Sequence, residues 1–211
     1  MADAEFFFDP VCPWAWLTSR WVTEVSEQRD LDVEWRFICL RMVNEARDYE
    51  REFPQGYTRG HTIGLELLRV AAALRAAEGP EAVGRYYTAV GTAFHTQGRR
   101  GELQPEGSVP GWLATIDLDL PAGVADAAHD DAWDADLRAS TDEALARTGK
   151  DVGTPIITFG PPDGPSFFGP VISRIPRGEE AVALWDATER IARFPGFAEL
   201  KRSIRERPVF D

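Results

Sequence analysis

Cys12 is the residue of this 211-residue chain best placed to act as a nucleophile. It follows a short apolar run that predicts a strand, and Pro13 directly after it fits the first position of a helix. A helix N-terminus carries a partial positive charge and unpaired N–H groups, so it favours a thiolate over a thiol. The sequence therefore predicts a reactive Cys12 with a lowered pKa, and the alternative is a buried, inert cysteine at a turn between strand and helix.

Cys39 is the second cysteine and lies at the end of another predicted strand. A buried, hydrophobic role is favoured there over a role as a second reactive thiol. Two cysteines are too few for a disulfide scaffold, and the N-terminus has no pattern of a signal peptide. We expect a cytoplasmic protein in a reducing compartment.

The composition limits the classes of partner. The 23 basic and 35 acidic residues give a net charge of −12, and 44% of the residues are hydrophobic, which is typical of a soluble globular protein with a core. The acidic balance argues against a nucleic-acid partner, because such binding depends on Lys and Arg. No apolar run approaches the roughly 18 residues of a membrane span, and no residue cluster has the spacing of metal ligands, so neither membrane nor metal is expected.

The elements that must position Cys12 follow from the hydrophobic pattern. A strand, a helix and a second strand form the start of a βαβ unit, a long helical block follows, and a hairpin and a helix close the chain. This order predicts an α/β domain interrupted by an all-helical insertion over residues 43–149. The predicted elements are a strand at 5–8, a helix from 13, a strand at 31–40, insertion helices between 63 and 148, strands at 155–159 and 166–168, a helix at 178–193 and a tail helix at 197–205.

Three separated blocks of the sequence carry a family resemblance. They are Phe8-Asp9-Pro10-Val11-Cys12-Pro13-Trp14, Val152-Gly153-Thr154-Pro155, and residues 168–180, which begin Phe168-Gly169-Pro170. Together they resemble the DsbA-type thioredoxin-fold proteins of the mycothiol-dependent nitroreductase group. The resemblance implies a thioredoxin-like domain over 1–42 and 150–211, a helical insertion over 43–149, and a reaction that uses mycothiol or another low-molecular-weight thiol with a disulfide or electrophilic substrate such as a nitroaromatic compound.

The resemblance also implies roles for single residues. Cys12 would be the catalytic nucleophile, and Thr154 and a cis Pro155 would face it and bind substrate or thiol together with Pro13 and Trp14. His95 matches a position at the rim of the active site, where an imidazole could orient substrate or move a proton. His95 could instead be a surface residue at a helix end, and Trp14 could instead belong to the core.

Ala15 is the departure from the family pattern, in which the motif Cys-Pro-Trp-Cys supplies a second, resolving cysteine. Without that cysteine, an adduct on Cys12 must be released by an external thiol, which is monothiol chemistry.

Two other functions stay open. The scaffold is also similar to kappa-class glutathione transferases and 2-hydroxychromene-2-carboxylate isomerases, in which we expect a serine at the position of Cys12. The third possibility is a thioredoxin-like module that binds peptides or a small thiol without turnover.

Overall fold

A four-stranded sheet lies at the centre of the computed structural model, which describes residues 2–202 and 206–210. The strand order is β2-β1-β3-β4; β1 and β2 are parallel, and β3 is antiparallel to β1 and β4. The parallel pair with its crossover helix confirms the predicted βαβ unit. The strands are β1 (Ala4–Phe8), β2 (Val33–Phe37), β3 (Ile156–Phe159) and β4 (Ser166–Phe168), and the helices are α1 (Pro13–Gln28), α2 (Leu40–Val43), α3 (Tyr49–Glu52), α4 (Tyr57–Glu78), α5 (Glu81–Gly91), α6 (Val109–Leu113), α7 (Asp134–Thr148) and α8 (Gly178–Ala192).

Strand β1 is the central element, and all five of its residues are buried. Phe6 is paired with Trp35 on one neighbouring strand and with Ile157 on the other. Because successive side chains of a strand point to opposite faces, Phe6 and Phe7 enter separate hydrophobic clusters. A run of apolar residues therefore forms a strand that is covered on both faces.

Helices α1 and α8 pack together on the face of the sheet that carries Phe6. The indole nitrogen of Trp21 donates a hydrogen bond to the carbonyl oxygen of Ala181, at 2.8 Å. The rings of Trp21 and Trp185 also make contact, with centroids 5.6 Å apart. This packing fixes the direction of α1 and hence the place of its first residue.

Helix α7 covers the opposite face. Its Ser140 hydroxyl donates to the carbonyl oxygen of Phe37 at 2.7 Å, and its Thr141 hydroxyl accepts from the N–H of Cys39 at 3.0 Å. Helix α7 thus contacts the sheet directly although it lies within residues 43–149. The division of the chain into a thioredoxin-like domain and an insertion stays a prediction.

The long helices α4 and α5 bring the helical part of the chain against α1. A Cβ atom on Gly91, at the end of α5, would lie 2.2 Å from the ring of Trp16, so only a glycine allows the observed approach. A Cβ atom on Gly64 of α4 would likewise lie 2.6 Å from a carboxylate oxygen of Asp9. These two contacts place α4 and α5 beside the start of α1.

Several predicted elements differ from the structure. Strand β2 is shorter than the predicted 31–40, and the end of the helix predicted around Phe94 is a π-helical turn over Thr92–Thr96. The predicted tail helix is wrong for residues 197–202, which form no helix, and its last three residues lie outside the described part. Among the residues that the structure describes, no helix combines the length and apolar character needed to cross a membrane.

Candidate active site

Cys12 is the N-cap residue of α1, as the sequence predicts. Its sulfur accepts a hydrogen bond from the N–H of Ala15 at 3.5 Å, which is the usual geometry of an N-cap side chain. Pro13 follows at the first helical position. The helix therefore directs a backbone donor and the positive end of its dipole at the sulfur.

Burial works against ionisation of this thiol. The side chain of Cys12 is 7% exposed, and loss of hydration raises its pKa to about 12, with a further rise from the negative charge of Asp9. The hydrogen bond from Ala15 lowers the pKa, but by less than burial raises it. The prediction of a lowered pKa for Cys12 is therefore wrong for the arrangement seen here, in which the thiol is protonated at neutral pH.

The thiol meets the loop that precedes β3. The S–H group of Cys12 donates to the carbonyl oxygen of Thr154 at 3.5 Å, and the Thr154–Pro155 peptide bond is cis. The hydroxyl of Thr154 donates to the carbonyl oxygen of Phe7 at 2.8 Å, which ties this loop to β1. Residues that are 142 positions apart are thus brought into contact at the sulfur.

Asp9 is a site residue that the sequence analysis treated only as the end of a strand. Its carboxylate is fully buried and accepts from the N–H groups of Val11 at 3.1 Å and Leu40 at 2.8 Å. Burial raises the pKa of Asp9 to about 7, although both hydrogen bonds oppose the rise. A carboxylate directly after an apolar strand and three residues before a cysteine was the signal for a buried ionisable group.

His95 lies beside the same turn, in the π-helical segment that follows α5. Its Nε2 is 2.8 Å from the carbonyl oxygen of Pro10, so this nitrogen carries the proton and donates. Burial lowers the pKa of His95 to about 4, and the imidazole is neutral at pH 7. His95 is therefore buried and is not the surface residue at a helix end that was the alternative.

Trp14 and Ala15 complete the first turn of α1. Trp14 is half-buried and packs against the core, whereas Ala15 is fully buried. The position of a resolving thiol is therefore an inert methyl group that faces the interior. Cys39 is also fully buried, and burial raises its pKa to about 12.

The site combines a capped thiol, a peptide group beside a cis proline, and two buried ionisable side chains. Both cysteines are free thiols, and the described residues contain no group of three side chains suited to hold a metal ion. Such a site can perform thiol exchange or attack an electrophile.

The fold is that of the thioredoxin-like proteins of the DsbA type. The fold resembles that of the cytosolic disulfide reductase DsbM from Pseudomonas aeruginosa, with a TM-score of 0.51 and 19% sequence identity over 90% of this chain and 99% of DsbM. A curated relative, the uncharacterised protein Rv2286c of Mycobacterium tuberculosis, is 31% identical over 207 residues, which cover 96% of this chain and 82% of that protein.

The particular family follows from a match to a family model. The model, described as mycothiol-dependent nitroreductase Rv2466c, matches residues 11–202. The chain belongs to this Rv2466c-like family.

Proposed function

We propose that the protein is a thiol-dependent oxidoreductase in which Cys12 is the single catalytic nucleophile and a low-molecular-weight thiol is the co-substrate. The observation that carries this proposal is the position of the Cys12 sulfur, between the N-terminus of α1 and the carbonyl oxygen of Thr154. The family description names mycothiol, and we propose mycothiol as the co-substrate. The substrate would be a small disulfide or a nitroaromatic electrophile.

The peptide group suited to binding a ligand is that of Thr154, the residue before the cis Pro155. Backbone groups next to a strand can pair with an extended ligand, and the Thr154 carbonyl lies within 3.5 Å of the sulfur. The half-buried ring of Trp14 gives an apolar surface against which a flat substrate can lie. Pro13 and Trp14, which follow Cys12 in α1, and the loop of Pro155, whose Thr154 carbonyl oxygen contacts the sulfur, would together bind a small thiol or disulfide.

Reaction requires the Cys12 proton to leave. Since burial is the main cause of the high pKa, we propose that the thiol becomes hydrated as the substrate enters, which lowers its pKa and lets the proton pass to solvent. The thiolate, stabilised by the N–H of Ala15, then attacks one sulfur of a disulfide and expels the other as a thiolate.

Release of the adduct needs a second thiol. Ala15 supplies none, so the mixed disulfide on Cys12 is broken by exchange with an external thiol, which returns the Cys12 thiolate and leaves as the new disulfide. One half of the original disulfide has then left as a thiol and the other half is joined to the external thiol in a mixed disulfide. A second molecule of the external thiol releases that half, so two thiols are oxidised to one disulfide for each disulfide reduced. His95, which donates to the carbonyl oxygen of Pro10, acts as a positioning residue for the turn before Cys12.

We also propose a division of the chain into domains and a cellular location. We assign residues 1–42 and 150–211 to the thioredoxin-like domain and 43–149 to the helical insertion. We place the protein in the cytoplasm, where free cysteines such as Cys12 and Cys39 persist.

The test compares Cys12→Ser with Cys39→Ser, a matched control because both cysteines are buried. The assay measures reduction of a small disulfide and of a nitroaromatic compound, with mycothiol as the electron donor. Cys12→Ser should lose at least about 100-fold in rate, since a serine hydroxyl is not ionised at neutral pH, and Cys39→Ser should keep its activity. Retained turnover in Cys12→Ser would instead favour the transferase or isomerase, and binding without turnover in the parent would favour the binding module.

A further inference from the structure

The C-terminal residues 206–210, here named the C-terminal strap, lie against the body of the protein. The N–H of Val209 donates to the carbonyl oxygen of Ser173 at 2.9 Å, and the Ser173 hydroxyl donates to the carboxylate of Glu206 at 3.3 Å. The Val209 side chain is 50% exposed, while Phe210 is half-buried and packs against the core. This alternation is typical of an extended segment with one side on the protein.

Phe210 contacts a residue that borders Cys12. Its ring centroid is 5.6 Å from that of His95, and His95 in turn donates to the carbonyl oxygen of Pro10. The ring of His95 also stacks on Trp16, with centroids 5.9 Å apart, and Trp16 lies one helical turn after Cys12. Phe210 of the strap therefore packs on His95, and His95 contacts both Pro10, before Cys12, and Trp16, after it.

The other contact of the strap leads to the cis-proline side of the site. Ser173 belongs to the segment between β4 and α8, and at the start of that segment the N–H of Gly169 donates to the carbonyl oxygen of Pro155 at 2.8 Å. The next residue, Pro170, accepts from the hydroxyl of Thr18 on α1 at 2.8 Å. The strap thus joins the segment that flanks Pro155 to the helical segment that carries His95.

We propose that the C-terminal strap limits access to Cys12, and that Phe210 is a specificity-determining residue that admits small thiols and small disulfides and excludes protein disulfides. A protein disulfide must bring an extended backbone up to the Pro155 loop, and the strap is bonded to Ser173 in the segment whose Gly169 pairs with Pro155. A small molecule needs no such space. This inference rests on the proposed function, since it names the size class of the substrate for the same cysteine.

Alkylation of Cys12 tests the inference without any turnover assay. The parent, Phe210→Ala, a chain that lacks residues 206–211, and the control Val209→Ala react separately with iodoacetamide and with a maleimide attached to a polyethylene glycol chain. Peptide mass spectrometry assigns the adduct to Cys12 or Cys39, and thermal unfolding reports whether each form is folded.

The ratio of the bulky to the small reagent's rate at Cys12 should rise in Phe210→Ala by about fivefold, the factor expected when the burial of half an aromatic side chain is lost. The shortened chain should show at least the same rise. Val209→Ala, whose side chain points outward, should match the parent. An unchanged ratio in both Phe210→Ala and the shortened chain would overturn the inference that the strap limits access, and would leave the proposed function standing. A Cys12 that reacts with neither reagent in any form would overturn the proposed function as well.

Discussion

Replacement of Asp9 by asparagine tests the electrostatics of the site. The amide would keep nearly the same shape and one acceptor oxygen, but it would carry no charge and could serve only one of the N–H groups of Val11 and Leu40 well. The perturbation therefore separates the charge of the group from its size. The carboxylate packs closely on α4, since a Cβ atom on Gly64 would lie 2.6 Å from one of its oxygens, and asparagine is close enough in shape to fit the same space.

The size of the expected effect on the free energy of unfolding follows from the rise of the Asp9 pKa from 3.8 to about 7. In the folded state the carboxyl binds its proton more tightly than in the unfolded chain, so the stability that it contributes is present at low pH and is lost as the pH rises through about 7. This rise in the Asp9 pKa corresponds to about 4 kcal/mol of stability, of which about 3 kcal/mol is lost between pH 5 and pH 8.

Urea unfolding of the parent and of Asp9→Asn at pH 5 and pH 8 measures this loss. His61 and His95, whose pKa values burial lowers to about 4, add a dependence of opposite sign, because they favour folding more as the pH rises. The difference between the two proteins removes their contribution. Asp9→Asn should gain about 3 kcal/mol on the parent between pH 5 and pH 8.

The control is Asp186→Asn, which removes an exposed carboxylate whose pKa is lowered by the hydrogen bond from Arg29. This group is ionised in both states above pH 5, so the pH dependence should match that of the parent. If Asp9→Asn and the parent also kept the same pH dependence, Asp9 would not be a buried group that titrates near neutral pH, and the reasoning would be refuted.

The remaining predictions concern packing and chemistry. Gly91→Ala should destabilise the fold by about 1 to 3 kcal/mol in urea unfolding, because its methyl group would overlap the ring of Trp16; a stability equal to the parent's would contradict that contact. Ala15→Cys should restore a resolving thiol, so the mixed disulfide on Cys12 should disappear without added thiol, and its persistence in mass spectra would show that residue 15 cannot reach the sulfur. His95→Ala should lower the rate of disulfide exchange without abolishing it, since His95 holds the turn at Pro10; complete loss would indicate a direct catalytic role.

Local patterns in the sequence predicted the elements that carry the site. The apolar run of β1 and the proline after Cys12 sufficed to place the cysteine at the start of α1, and both elements form as predicted. The hairpin of β3 and β4 and the final long helix α8 also follow from local pattern, within one or two residues at their ends.

The environment of Cys12 could not be predicted in the same way. Its burial depends on Thr154, 142 residues away, and the place of His95 depends on a hydrogen bond to Pro10 across 85 residues. A helix N-terminus alone favours the thiolate, but desolvation by distant segments reverses the sign of the pKa shift. The C-terminal strap was missed for a related reason, because residues 206–210 gain their extended conformation through contacts with Ser173 and His95 and show no periodicity of their own.

The central claim is that Cys12 alone exchanges disulfides with a small thiol. The most direct measurement is the intact mass of the protein after incubation with the disulfide of mycothiol, followed by peptide mapping and then by addition of free thiol. We predict one adduct, confined to Cys12, absent from Cys12→Ser and fully released by the free thiol. No adduct on the parent, or an adduct on Cys39 in its place, would contradict this account.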